Sequence, residues 1–518
     1  MASGWRPKPA DKVVRPRRIK RFRLRRVLGI PGLFSIGYGD VGSSIYYGLG
    51  VTALVALGAT PIALGIAGII YIFNALSYAE GSAMITGGGG SASYSRLAFN
   101  DLVGFGSGWL LMLSYIATVA ISAYTIPPYL SHFWPVLRDP VPGTLVSMGI
   151  IAILMLGNVV GIREAGLNLL FISVDIITLL TLVVLGLVLL LAPNPGLLGA
   201  HMFGSGNWPS PANLIFGIAV AALCFTGVES ISQHGEEARQ PEKKVPQTYV
   251  LMVVTVLLLF AGVSVVALTA MTPQQLGDPI NGWARDPVAG IAHYVSQAIV
   301  PQQILGGIAP EHARAVLINL LAGARDLLPD VVAVLAAAIL VTATNVGMQG
   351  ISRLTYNLST NRQLPATFSR VHFFFRTPWV AIVAFSLVCL GLLIPGFYSR
   401  HFFADLAGLY VFGSLLVFAL AHAAILRLRM TRPNMPRPFK LFGSIRVRGR
   451  SLPLTAILGL LATFAIWVVV VVTQPFSLSA GVVWLGLGFF VYYVYRRSHG
   501  MSLTRTGLPG PTRKTVDH

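Results

Sequence analysis

The residue best placed to do chemistry in this sequence is Asp40, an acid in the middle of an apolar stretch. Glycines flank it on both sides, and Ser43 and Ser44 follow closely. An ionised carboxylate is costly inside a membrane, so such an acid usually faces a cavity and takes part in function. Glycines weaken a helix and free backbone groups. Carboxylate, hydroxyl and carbonyl oxygens together suit a cation, an ammonium group or a proton; the alternative is a neutral acid bonded to nearby backbone.

Two further acids, Glu229 and Asp175, also lie inside apolar stretches. Glu229 follows Thr226 and Gly227, so it either shares a cavity with Asp40 or holds an interrupted helix together. Asp175 has mainly apolar sequence neighbours, which makes it a candidate proton carrier; the alternative is pairing with a residue on another helix. Capping or solvated roles are expected for three acids at predicted helix ends, Glu80, Glu164 and Asp405.

A polar stripe runs along the third predicted helix, because Ser114, Thr118 and Ser122 recur every four residues. The stripe either lines a pathway or joins helices through hydrogen bonds. The residues predicted to bind the solute are Gly42, Ser43, Ser44, Tyr47, Ser114, Thr118, Ser122, Thr226, Gly227 and Tyr410. The residues predicted to carry a coupling ion or proton are Asp40, Asp175 and Glu229.

Enzyme motifs are missing from the sequence. It contains no P-loop, no GxSxG and no clustered histidine and cysteine ligands, and both cysteines, Cys224 and Cys389, fall inside apolar stretches. The glycine run at 87–90 lacks the preceding strand that a phosphate-binding loop needs, so a flexible loop is expected. We therefore expect no enzymatic activity, no cofactor, no metal site and no ATP-driven step, which leaves coupling to an ion gradient.

The composition is that of a membrane protein. Of the 518 residues, 54% are hydrophobic and 11% are charged, with a mean hydropathy of +0.71. A soluble domain carries about a quarter charged residues. Apolar runs predict an all-α protein of about twelve membrane-spanning helices, near 32–58, 61–84, 102–133, 143–161, 165–192, 211–233, 247–271, 331–356, 378–395, 403–427, 454–473 and 478–495.

The basic residues indicate the orientation. With an N-terminus in the cytoplasm, 33 lysines and arginines lie on the inner side and five on the outer side. This asymmetry predicts a protein of the cell membrane with both termini on the cytoplasmic side. The tails are expected to contact anionic lipid, and a nucleic-acid partner is not expected. The 31 arginines against seven lysines are typical of a GC-rich bacterial genome.

The first and sixth predicted helices are both interrupted by small and polar residues, and both are expected to unwind there and lose backbone hydrogen bonds. They lie five helices apart, which predicts two five-helix repeats in inverted orientation, about 30–192 and 211–427. The remaining divisions are a basic tail (1–29) before the core (30–430), an outer loop (272–330), a basic inner loop (431–453), two peripheral helices (454–495) and a C-terminal tail (496–518).

Several short segments resemble the amino acid–polyamine–organocation superfamily of permeases. They are 42–46, 76–80 with 90–94, 158–164, 353–365 and 437–440, in the order and spacing of that family. The resemblance implies a LeuT-like fold of five plus five helices with two peripheral helices, and a substrate held between spans one, three, six, eight and ten. It also implies that N–H groups around Gly42–Ser44 bind a substrate carboxylate and that the backbone at Thr226 and Gly227 binds its ammonium group.

The first-span segment 38–44 is in addition similar to that of the KUP and Kim potassium importers. In that case the ion-binding residues are Asp40, Tyr47, Thr118, Ser122 and Thr226, with Tyr410 also matching. Ser114 departs from the pattern, which has an aspartate there. The sequence thus predicts a proton-coupled symporter for amino acids or related amines. The alternatives are a potassium importer, a uniporter or sodium-linked carrier, and a membrane sensor or channel.

Overall fold

The computed structural model describes residues 26–161, 165–299, 311–399, 402–441, 443–447 and 449–504, with side chains for all of these except 165–167, 311–317 and 447. Glu164 and most of the two predicted tails lie outside the described residues. Within them, eleven helical segments are long and apolar enough to cross a membrane. The first, Ile30–Met84, has 55 residues, far more than the roughly 20 that one crossing needs. The count of twelve spans stays a prediction.

The chain is an all-α membrane protein, with one small hairpin among the described residues. Its N-terminal helices are α1 (Ile30–Val41), α2 (Ile45–Ala56), α3 (Thr60–Met84), α4 (Gly90–Ala98), α5 (Asp101–Leu130), α6 (Pro140–Val160), α7 (Ala165–Gly186), α8 (Pro195–Phe203), α9 (Pro211–Ala221) and α10 (Glu229–Gln233). The following elements are α11 (Pro241–Ala270), α12 (Pro273–Gly277), α13 (Pro287–Ala298), α14 (Glu311–Thr360), α15 (Trp379–Leu392), α16 (Phe402–Thr431), β1 (Ser444–Val447), β2 (Arg450–Pro453), α17 (Leu454–Thr473) and α18 (Pro475–Ser498).

Two spans are each built from two helices. The first span comprises α1 and α2, and the sixth comprises α9 and α10. The first span and α3 are separated at Leu57, whose φ of 47° lies in the left-handed region. Such a conformation is unfavourable for a residue with a side chain and marks a sharp turn. This turn explains how one apolar segment of 55 residues holds more than one helix.

The helices divide into a buried centre and an exposed periphery. The apolar window of α5 is entirely buried, and that of α16 is 78% buried. The windows of α6 and α18 are each only 22% buried, and that of α17 is 28%. Because lipid is as apolar as the outer side chains, exposure of leucine and valine on these helices carries no cost in a bilayer. The residues predicted to bind solute lie in the buried centre.

The connection predicted over 272–330 differs from the structure at its end. It contains two short helices, α12 and α13, as expected, and residues 300–310 lie outside the described part. The eighth span, predicted at 331–356, instead begins at Glu311 and continues for 50 residues. That length corresponds to about 75 Å, so α14 extends well beyond a bilayer core of about 30 Å. The first turns of this helix were not predicted because they contain charged residues, which lower the local hydropathy.

Glu80 corrects an expectation. A capping or solvated role was expected near the end of α3, but the side chain is fully buried. Its two carboxylate oxygens accept from Arg429 on α16, at 2.8 and 2.6 Å, and one also accepts the N–H of Leu441 at 2.9 Å. A buried carboxylate must be paired to be tolerated, and a bidentate arginine supplies that pairing. Glu80 therefore ties the segment after α16 to the bundle. Asp405 lies in the first turn of α16, as expected.

Candidate functional site

The sixth span is broken in the middle of its apolar sequence. After α9, residues Ala222–Phe225 form one 3-10 turn, and Thr226 is extended, with φ −84° and ψ 161°. Gly227 follows at a φ of +99°, which favours glycine over every other residue. The hydroxyl of Thr226 donates to the carbonyl of Leu223 at 2.7 Å. Since the last carbonyls of a helix have no partner within it, the end of this half-helix presents acceptors inside the bundle.

The first span behaves differently and corrects the expectation that both helices unwind. Gly42–Ser44 form a 3-10 turn, but Gly42 has φ −63° and ψ −35° and Ser44 has φ −65° and ψ −22°, both helical values. The N–H of Gly42 still donates to the carbonyl of Tyr38. The hydroxyl of Ser43 donates to the carbonyl of Asp40 at 2.8 Å. The first span is therefore tightened but continuous.

Asp40 lies directly against the break in the sixth span. A Cβ added to Gly227 would stand only 2.6 Å from the Asp40 carboxyl carbon, so the two groups are in van der Waals contact. The side chain of Asp40 is fully buried and accepts a hydrogen bond from the hydroxyl of Ser230. Its other oxygen, Oδ1, has no hydrogen-bond partner among the described residues. A buried carboxylate oxygen without a donor is costly, so a bound cation, ammonium group or proton suits this position.

Glu229 stabilises the same break from the other side. Its carboxylate accepts the N–H of Gly227 at 3.2 Å, and the hydroxyl of Ser114 lies 3.5 Å from it. Ser114 in turn shares a hydrogen bond of 2.7 Å with Ser414 on α16. Asp40 and Glu229 are close enough to interact electrostatically. Glu229 therefore bonds to the broken helix near Asp40, and a cavity shared by the two acids stays a prediction.

The other predicted solute-binding residues gather around this point. Tyr47 shares a 3.1 Å hydrogen bond with Ser44 and approaches Ser122. Tyr410 approaches Thr118, Asp40 and Tyr47. Thr342 on α14 contacts Gly39, which brings the eighth span against the first. Spans one, three, six, eight and ten thus meet here, and their polar groups form the Asp40 cluster, made of Asp40, Gly42, Ser43, Ser44, Tyr47, Ser114, Thr118, Ser122, Thr226, Gly227, Glu229, Ser230 and Tyr410.

Asp175 lies outside this cluster. It accepts hydrogen bonds from the phenols of Tyr38, at 3.1 Å, and Tyr46. At 100° per residue, these two tyrosines lie on the side of the first span opposite Asp40. Asp175 therefore pairs with residues on another helix. The tyrosines were present in the sequence motif, but nothing in their spacing identified a partner 137 and 129 residues away.

The bundle is closed at the end where α1 begins. Backbone atoms of Leu28 exchange hydrogen bonds with Glu237 and Arg239, at 2.9 and 2.8 Å, as an isolated parallel bridge. The glycine run also takes part: the N–H of Gly88 donates to Glu236 at 2.7 Å, and its carbonyl accepts from Asn357 at 3.1 Å. The glycine loop, expected to be flexible, is therefore clamped between the sixth and eighth spans.

The opposite end is covered by the segment that holds α12 and α13. The phenol of Tyr129 donates to the carbonyl of Tyr46 at 2.7 Å, and the N–H of Val288 at the start of α13 lies 3.4 Å from the same phenol. Asp286 is buried and lies 3.5 Å from Arg138. Burial raises the pKa of Asp286 to about 6, and the nearby Arg138 limits the rise. The Asp40 cluster is thus enclosed from both ends.

Metal chemistry has no candidate in the described part of the chain, where no three histidine, cysteine, aspartate or glutamate residues are grouped to hold an ion. The donors at the Asp40 cluster are carboxylate, hydroxyl and carbonyl oxygens, which suit hard monovalent cations and ammonium groups.

Comparisons with known proteins find similar sequences among membrane transporters. A family model described as amino acid permease matches residues 28–494. The branched-chain amino acid permease BcaP of Bacillus subtilis is 26% identical over 500 residues, which cover 92% of this chain and 94% of that protein. The methylthioribose transporter of Bacillus subtilis is 25% identical, covering 97% of this chain and 99% of that protein. The glutamate/serine transporter AimA of the same organism is 22% identical, covering 81% and 74%.

Proposed function

The chain belongs to the amino acid permease family, and on that premise we propose that it is a proton-coupled symporter for an amino acid or a related amine. Transport by alternating access needs a central site that is reached from one side at a time. The Asp40 cluster supplies the site, and the enclosures at its two ends supply the barriers. We place the protein in the cytoplasmic membrane with both termini inside, on the basis of its arginine distribution.

One observation carries the proposal: the carboxylate of Asp40 lies against the backbone break at Gly227. The C-terminal end of α9 carries the partial negative charge of a helix terminus. Asp40 adds a carboxyl oxygen without a partner in the described residues. These groups together favour the ammonium group of an amino acid or amine. The substrate carboxylate needs N–H donors, and those around Gly42 become available only when the 3-10 turn opens.

Asp40 is also our candidate for the proton-coupling residue. An acid that contacts the substrate can bind a proton in one state of the cycle and release it in another. The variant Asp40→Asn, assayed in proteoliposomes under a pH gradient, is expected to lose proton-driven uptake. The variant Ser173→Ala is a control, because Ser173 is exposed and its hydroxyl donates to its own helix. Proton-driven uptake at the wild-type rate in Asp40→Asn rejects the coupling role.

Potassium is a second candidate cargo, and one observation favours it. The potassium importers that the first span resembles have a carboxylate where this chain has Ser114. In the structure Glu229 lies 3.5 Å from that serine hydroxyl. A second carboxylate is therefore present near Asp40, although it comes from a different helix. Carboxylate and hydroxyl oxygens of this kind are suitable potassium ligands.

A thermal-shift screen separates the two cargoes. Ligands that bind only the folded protein raise its unfolding temperature by mass action. Purified protein is tested with amino acids, polyamines, methylthioribose, potassium and rubidium, with sodium and choline as ionic-strength controls. Stabilisation by amino acids supports our proposal. Stabilisation by potassium and rubidium alone reverses it in favour of potassium import.

A further inference from the structure

The connection between α14 and α15 contains a tightly closed aromatic turn, residues 370–376. The ring nitrogen Nδ1 of His372 accepts the backbone N–H groups of Phe374 and Phe375, each at 3.2 Å. The N–H of Arg376 donates to the carbonyl of His372 at 3.0 Å, and Arg376 has a left-handed φ of 56°. Several local hydrogen bonds therefore fix the path of the backbone, and with it the direction of the side chains.

This turn presents large apolar side chains outward. The side chain of Phe373 is 97% exposed and that of Phe374 is 77% exposed. The turn is also anchored to the bundle, because the hydroxyl of Thr377 donates to the carbonyl of Val159 at 2.6 Å. Its hydrogen bonds hold the backbone, and the two rings are directed away from the protein. Adjacent exposed rings on an ordered turn mark a surface that contacts something apolar.

The surroundings of the rings are strongly basic. Arg362, Arg370 and Arg376 are exposed, and residues 357–379 contain no aspartate or glutamate. Trp379, at the start of α15, is also exposed. The turn therefore lies within a few residues of an apolar span, at the depth where hydrocarbon gives way to headgroups. Aromatic rings next to arginines are typical of this boundary, since the rings occupy the interface while guanidinium groups reach phosphates.

We propose that the aromatic turn is a lipid-binding anchor that inserts Phe373 and Phe374 into the adjacent leaflet and binds anionic lipid headgroups through Arg370 and Arg376. A second copy of the chain is the competing occupant for exposed rings. The charges argue against it, because joining two such turns brings six arginines together without an acid from residues 357–379. An anionic leaflet matches both the rings and the charge.

Phe374→Cys tests the insertion. The two native cysteines, Cys224 and Cys389, are buried, so the introduced thiol takes an environment-sensitive fluorophore selectively. In nanodiscs that hold a single copy, we expect blue-shifted emission and quenching by lipids with a bromine near the headgroup. The matched control is Asn434→Cys, an exposed polar position after α16, where the label should remain in water. A water-like signal at position 374, or an apolar signal that needs two copies per disc, overturns the proposal.

Arg370→Gln with Arg376→Gln tests the charge, with the fluorophore kept at position 374. In the parent, replacing phosphatidylcholine by phosphatidylglycerol should increase the blue shift. Each arginine removed should weaken this response to phosphatidylglycerol, and the double variant should lose most of the added blue shift, because each basic group at an anionic surface contributes about 1 kcal/mol. An unchanged dependence in the double variant also overturns the proposal.

Discussion

The first and sixth spans carry similar small and polar residues at comparable places, but only the sixth leaves the helix. At Gly227 the backbone turns to a φ of +99°, whereas Gly42 keeps a φ of −63°. The hydrogen bonds explain the difference. The carboxylate of Glu229 takes the N–H that the break releases. In the first span the hydroxyl of Ser43 adds a bond to a turn that is still formed.

The comparison shows that glycine permits a break and does not impose one. Inside a bilayer each released backbone group needs a replacement partner, so the break forms where the chain supplies an acceptor. The first span is further restrained by two tyrosines bonded to Asp175 on α7. The two spans therefore contribute different things to the cluster: the sixth provides backbone groups, and the first provides the Asp40 side chain.

The largest effect is expected for Gly227→Ala. The new methyl group must occupy a left-handed backbone position and would lie 2.6 Å from the Asp40 carboxyl carbon. Displacing Asp40 by an ångström is expected to lower uptake about 100-fold. The control is Gly39→Ala in the continuous first span, where the nearest atom is Thr342 Cγ2 at 3.2 Å and a gain in helix propensity of about 1 kcal/mol offsets the tight contact. Equal uptake by the two variants contradicts the difference between the spans.

Glu229→Leu removes the acceptor that stabilises the break. The Gly227 N–H then has no partner, which should lower the free energy of unfolding by about 3 kcal/mol. Glu229→Gln keeps an acceptor of the same shape and should lose only about 1 kcal/mol. Denaturation of both variants in the same detergent measures the difference. If leucine is tolerated as well as glutamine, Glu229 does not replace the lost helical bond.

Tyr46→Phe weakens the restraint on the first span. It deletes one of the two phenol bonds to the buried Asp175, and we expect a loss of about 1.5 kcal/mol in the free energy of unfolding. A double-mutant cycle with Asp175→Asn isolates the pair energy from other effects of each substitution. Additive losses would show that the phenol and the carboxylate do not interact.

Ser43→Ala should have the smallest effect, below about 0.5 kcal/mol. The hydroxyl bonds to a carbonyl that Ser44 also reaches, at 3.5 Å, and the helix continues without it. Unfolding measured beside the wild-type protein tests this. A loss as large as that of Glu229→Leu would mean that the 3-10 turn depends on the serine, and the contrast between the spans would fail.

The sequence allowed some of these features to be predicted and not others. Hydropathy located the spans, and the pair Thr226 and Gly227 located the break, because their preferences are local. The continuity of the first span and the partners of Asp175 depend on residues that are distant in the sequence. Glu80 looked solvated because its partner, Arg429, is 349 residues away. Long-range pairing decides such cases, and a single sequence does not record it.

The parallel bridge at Leu28 has one more consequence. It joins the starts of the first span and of the segment after α10 through main-chain atoms alone. Ordinary side-chain substitutions at position 28 leave both of its bridge hydrogen bonds in place, because they remove neither the N–H nor the carbonyl. Such substitutions act on other contacts, since the Leu28 side chain packs against the core and the Glu237 carboxylate lies 2.9 Å from Arg353. Proline at position 28 lacks the N–H donor. It is therefore the one residue type that removes a hydrogen bond of the bridge, and it measures what that bond contributes.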